Sequence, residues 1–247
     1  MSFGHNGIFM ETHFSPARED VERYLRLRGA TDRLGVAIMR QVPKNAHLEI
    51  AEALGLLEDG VVVLESREIS KIMADCCLHD WYYADGKTVV QHYAETHPAR
   101  PGTDEHYVLN ALLHAQYRVL KVGSLVPGAG AHCEDLMNDE GLFVMDIGMS
   151  RNPEAGFVLA TRTIPLGEYW MTGGTALPIT KPEVIRNAQH QFRERARPDA
   201  LLLPADFSLA IVRACLDAGA ADQVLFQLPK PGGREPRHIT RRNWQRL

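Results

Sequence analysis

Apolar residues recur at helical spacing through the first half of the chain, then crowd into short strand-like runs, then return to helical spacing. Ser15-Pro16 followed by Glu19 and Asp20 reads as a helix start: a hydroxyl cap, a proline whose missing N–H costs nothing there, and acids facing the positive end of the dipole. Val21, Tyr24, Leu25 and Arg28 keep the period, and Gly29 is expected to end that helix. Leu34 and Ile38 mark a second short helix closed before Pro43, and Leu48, Ala51 and Leu54 a third running to Gly55. Residues 61–64, after Asp59-Gly60, are apolar but too few to assign. Ile69, Ile72, Met73 and Cys76 share one helical face, which predicts a helix continuing to Tyr83 and broken at Asp85-Gly86. Val89, Val90 and Tyr93 predict a helix before His97-Pro98, and Thr103 with Asp104 and Glu105 caps the next.

Near Tyr117 the pattern changes. Residues 117–126, 132–137, 142–149 and 157–164 are β-rich, with turns at Pro127-Gly128, at 138–141 and at 152–156. Two further strands, 169–172 and 176–179, are expected on either side of Gly173-Gly174. Thr180 and Glu183 match a capping box, opening a helix with Val184, Ile185, Ala188 and Phe192 on one face. Residues 206–218 form a last helix, stopped by Gly219. The expected fold class is α+β: a helical N-terminal region (1–116), a small antiparallel β-sheet or partly closed barrel (117–180), a helical region (181–229) and a basic tail (230–247).

Composition adds little to this outline until charge is divided along the chain. The 247 residues carry a formal charge of −4 and are 45% hydrophobic, ordinary values that exclude a collagenous, disulfide-scaffold or largely disordered chain. Residues 230–247 hold Lys230, Arg234, Arg237, Arg241, Arg242 and Arg246 against Glu235, a net charge of +5, so the rest of the chain is strongly acidic. Five arginines and Trp244 suit phosphate contact with base stacking, or docking onto an acidic surface. No apolar run is long enough to span a membrane, no secretory leader is read, and the four cysteines include no C-x-x-C pair. A cytoplasmic protein with reduced thiols is the expectation.

Two stretches carry a family resemblance. Asp80-Trp81-Tyr82-Tyr83, with Asp85-Gly86-Lys87-Thr88 and Tyr93 behind it, resembles a helix–turn–helix signature in some bacterial proteins of unassigned role. Their companion β segment is similar to residues running through Glu134-Asp135-Leu136, Asp146, Ala160-Thr161-Arg162 and Pro165. The resemblance spans about residues 75–180 and implies architecture without chemistry. Some of those proteins end in a cysteine-rich zinc motif; this chain has no cysteine after Cys215, so that site does not carry over.

Candidate chemistry is sparse. Asp75 and His79, four apart on a helix, could form an oriented acid–imidazole pair, and Cys76 and Asp80 could likewise meet side by side. His106 and His114 lie about 12 Å apart along a helix axis, too far to share an ion. Strand alternation sends His132 and Glu134 to one face and Cys133 and Asp135 to the other. The glycines at 128–130 and 173–174 match neither dinucleotide nor P-loop spacing. No metal set, cofactor motif or catalytic residue set is assigned. The expected function is a non-catalytic binding or adaptor module for a protein or small-molecule ligand. Its alternatives are a nucleic-acid-associated protein using Lys230, Arg234, Arg237, Arg241, Arg242, Trp244 and Arg246, and a metal-dependent hydrolase using Asp75 and His79. Homo-oligomerisation is left open.

Overall fold

The computed structural model describes residues 14–151, 155–195 and 204–220. Helix α1 (Arg18–Met39) is one helix, not two, and starts from Ala17, whose N–H donates to Asp20. It runs through Gly29 because the buried stripe of Tyr24, Leu27, Ala30, Leu34 and Ile38 continues across it, and a mid-helix glycine costs only about 1 kcal/mol. Helix α2 (Lys44–Leu54) ends as expected at Gly55, left-handed at φ +70°. The unassigned run becomes a small hairpin of β1 (Leu57–Glu58) and β2 (Val61–Val62), turned by Asp59 and Gly60, both at positive φ.

Helix α3 (Arg67–His79) is capped by the Ser66 hydroxyl and stops at Asp80, short of the predicted Tyr83. The next residues instead make a tight turn through Asp85-Gly86, bridging Tyr82 to Thr88. Helices α4 (Val89–Thr96) and α5 (Asp104–Leu112) begin at Thr88 and Thr103, each threonine accepting a backbone N–H.

Five strands follow: β3 (Gln116–Val126), β4 (Gly130–Asp135), β5 (Glu140–Met145), β6 (Val158–Pro165) and β7 (Trp170–Pro178). They close into a barrel in the order β3-β4-β5-β7-β6, all neighbours antiparallel except β5 and β7. Of the two forms expected, the barrel is the one adopted, and closure leaves no free edge. Numbered within the barrel this is 1-2-3-5-4, the order of the oligonucleotide/oligosaccharide-binding type of barrel. Leu120, Val122, Ala131, Cys133, Leu142 and Val144 fill its interior. Its outward side chains Val119, Phe143, Met145, Ala160 and Met171 join the larger core formed with the helices.

The two strands expected around Gly173-Gly174 are one. Thr161 pairs with Ala176 but Thr163 with Thr172, so one residue of β6, Arg162, faces three of β7, and the glycine pair takes up the excess of two as a bulge. Helices α6 (Pro182–Arg195) and α7 (Pro204–Asp217) pack on each other, and α7 also reaches α2. Among the described residues no helix is long and apolar enough to cross a membrane.

Candidate functional site

The densest set of ionisable side chains lies where α3 meets the outer face of β6. Arg162 stands at the centre of β6, flanked by Thr161 and Thr163 that point into the barrel, so alternation turns its guanidinium outward onto the helices. Helix α3 presents Asp75 on its last full turn and Asp80 at its C-cap. Arg162 Nε donates to Asp75 Oδ2 at 2.8 Å and Nη2 to Asp80 Oδ2 at 2.5 Å. Only 4% of the Arg162 side chain and 2% of that of Asp80 remain exposed, so this is a buried charge-assisted fork. The guanidinium lies 5.1 Å from the centre of the Tyr117 ring, and Ser208 of α7 hydrogen-bonds to Asp80.

The bulge opposite makes room for it. A Cβ on Gly173 would sit 3.3 Å from both Arg162 Cβ and Asp75 Oδ1, and one on Gly174 would sit 2.8 Å from Arg28 Nη2. Arg28, from α1, donates to the Thr172 carbonyl, while the Thr172 hydroxyl donates to Asp146 at 2.5 Å. Glycine at these positions therefore lets β7 pass between two arginines reaching in from different elements.

Charge in the cluster is unbalanced. One guanidinium faces two carboxylates in a desolvated setting, and burial raises Asp80 to about 6 against the pull of Arg162, with Asp75 adding to the rise. Arg162 is held in its charged form by both acids. Burial and the adjacent Arg162 push His79 down to about 3, keeping its ring neutral at physiological pH. Burial, with both acids adding, drives the Cys76 thiol well above its ordinary value and Cys77 up to about 12.

Of the residues singled out in the sequence, Asp75 is engaged by Arg162, and neighbouring Asp80 shares the same guanidinium. Ligand atoms of Asp75, Cys76 and Asp80 lie within 4.8 Å of one another, a spacing compatible with a metal ion. The two carboxylates are already committed: both serve a fixed cation, the Arg162 guanidinium. His106 and Asn110 contact each other on α5, whereas His114 lies beyond that helix's end. Cys133 and Asp135 point inward and His132 and Glu134 outward, as alternation required.

Sequence reasoning missed the partner of Asp135. At the end of the barrel interior Arg118 Nη1 donates to Asp135 at 2.6 Å and to Glu140 at 2.9 Å, its guanidinium 4.4 Å over Trp170. An arginine inside a β-rich run was the available signal, because a buried cation demands an acid. The tail residues Lys230, Arg234, Arg237, Arg241, Arg242, Trp244 and Arg246 lie outside the described residues.

A family model described as a family of unknown function, DUF7986, matches residues 18–183, more than half of the chain. The chain belongs to that family. No curated protein and no solved structure matches it. The DUF7986 segment runs from the first residue of α1 to the first turn of α6, enclosing the whole barrel and both arginine centres. Ser208 and the rest of α7 lie beyond it.

Proposed function

We propose that this chain is a non-catalytic binding module, working in the cytoplasm, in which helices and barrel form a fixed platform for a partner. The observation that carries the reading is the commitment of the Arg162 cluster to itself. Asp75 and Asp80 are spent on one guanidinium, burial pushes the thiols beside them up, and His79 is half-buried with its ring kept neutral. A cluster wired this way joins α3, β6 and α7 and offers no activated nucleophile or exposed base. The barrel's usual ligand face is covered, so a partner would meet this platform on another surface. Barrels of this type carry ligands on the face of their second and third strands. Here that face is β4–β5, where Phe143 and Met145 are buried under the helical layer and Phe14 packs 5.1 Å from the Phe143 ring.

The test is an activity screen of the full chain against chromogenic esters and phosphodiesters, with and without added Mn²⁺ or Zn²⁺, beside the His79→Gln variant. Equal background from both is expected; turnover present in the native chain and lost in the variant would establish the hydrolase alternative instead. A second reading, nucleic-acid contact, is favoured by the +5 charge and Trp244 of residues 230–247. Anisotropy of labelled single-stranded RNA and DNA separates it. Binding that falls steeply with salt, and vanishes when the five tail arginines are replaced by glutamine, would identify nucleic acid as the partner.

A further inference from the structure

The turn between β6 and β7 carries a tyrosine into the helical layer. The Leu166 N–H donates to the Tyr169 carbonyl at 2.8 Å, closing the turn with Gly167 at φ +93°. The Tyr169 ring packs against Phe14 with 5.6 Å between centroids, and 2% of the residue remains exposed. Its hydroxyl is buried and has no hydrogen-bond partner. A buried hydroxyl left this way has given up its bonds to water for nothing, and calls for a group that completes it. The side chains near enough to act on it electrically are Arg23, Asp20 and Arg26 of α1 and Tyr107 of α5.

We propose that Tyr169, Tyr107 and Arg23 form a binding site for a tetrahedral oxyanion the size of a phosphate group. The Arg23 guanidinium lies 4.7 Å over the centre of the Tyr107 ring. Among the described residues neither that guanidinium nor the Tyr107 hydroxyl has a hydrogen-bonding or carboxylate partner. Tyr107 Oη stands 3.6 Å from where a Cβ on Gly167 would be, and Gly167 is exposed, so the bare turn is the way in. Burial holds the Tyr169 hydroxyl above its ordinary range against the pull of Arg23, which keeps it a proton donor at neutral pH. Two hydroxyls and a forked guanidinium, brought by three different elements, suit the terminal oxygens of a phosphate better than the pair on a carboxylate. The acids of the region are Asp20, whose Oδ2 accepts the Ala17 N–H, Asp104, paired with Arg26 at 3.7 Å, and Glu168, exposed on the turn. Asp20 is the one that acts on the Tyr169 hydroxyl, and it opposes an incoming anion. The site shares no residue with the Arg162 cluster, so it stands whether or not the chain is catalytic.

Isothermal titration of the full chain with inorganic phosphate and with phenyl phosphate tests this, with acetate as the control and thermal unfolding measured for every variant. Saturable one-to-one binding of phosphate is expected, and none of acetate. Binding of inorganic phosphate alone would assign the free ion, and binding of phenyl phosphate as well a phosphate carried on a small molecule; either supports the site. Tyr169→Phe should weaken binding about tenfold without lowering the melting temperature, because it removes a hydroxyl that the folded chain leaves unsatisfied. Arg23→Gln should weaken binding by a similar factor. Asp20→Asn, which retains an acceptor for the Ala17 N–H, should tighten it. Absence of saturable binding by either phosphate, equal binding of acetate, or unchanged affinity in Tyr169→Phe would overturn the proposal. So would a lower melting temperature for Tyr169→Phe, since the hydroxyl would then be serving the fold.

Discussion

Arg162 is the residue on which the arrangement turns, and its removal should be far more costly than that of any surface arginine. Arg162→Met leaves Asp75 and Asp80 facing each other without a cation, and breaking one side of a buried pair costs about 3–5 kcal/mol. Urea denaturation measures it, with Arg18→Met, whose pair with Glu22 is exposed, expected to change stability by less than about 1 kcal/mol. Asp80 adds a pH dependence. Its folded pKa, near 6, lies above the ordinary carboxylate value of 3.8, so the folded state holds the proton more tightly than the unfolded one. The contribution from Asp80 is therefore fully present below about pH 4 and lost as pH rises through 6. Native stability relative to Asp80→Asn should fall across that window, by an amount on the order of 1–3 kcal/mol, in denaturation curves taken at several pH values. A constant difference would show that Asp80 titrates where an ordinary aspartate does. The helical spacing of Asp75 and His79 was visible in the sequence, but the partner that matters lies 87 residues away on a strand. Periodicity reports which face a residue occupies and is silent on what a distant element brings to that face.

At the scale of elements, boundaries set by local chemistry were legible and those set by packing were not. Thr88, Thr103 and Gly55 mark helix ends because cap hydroxyls and a left-handed glycine act within one turn. Gly29 and Gly173-Gly174 misled, since in both places a buried stripe or a continuous ladder carries the element through. Glycines of the two kinds should respond oppositely to alanine. Gly35, inside α1 with nothing within 4 Å of an added methyl, should gain about 0.5–1 kcal/mol as Gly35→Ala through helix propensity alone. Gly174→Ala should lose about 1–3 kcal/mol, because φ is +103° and the new Cβ meets the Arg28 guanidinium. Thermal unfolding of the two variants gives the comparison, with Gly86→Ala, at φ +79° in open space, isolating the backbone contribution.

For the whole molecule, the β-rich middle and the helices around it could be read from pattern, whereas closure could not. The β5–β7 parallel pair joins strands separated by an entire antiparallel excursion, and no local signal announces it. Closure also makes the barrel and α7 unequal partners. Opening the barrel breaks a continuous ladder of backbone hydrogen bonds, while α7 is held by side-chain packing and by Ser208 on Asp80. The four cysteines happen to be distributed over these parts: Cys133 inside the barrel, Cys76 and Cys77 on α3, Cys215 on α7, all of them buried and unpaired with one another. Each thiol is thus a built-in clock for the part that covers it. Pulsed alkylation followed by mass spectrometry should label Cys215 well before Cys133, and one common rate for all four would instead reveal a molecule that opens only as a single unit.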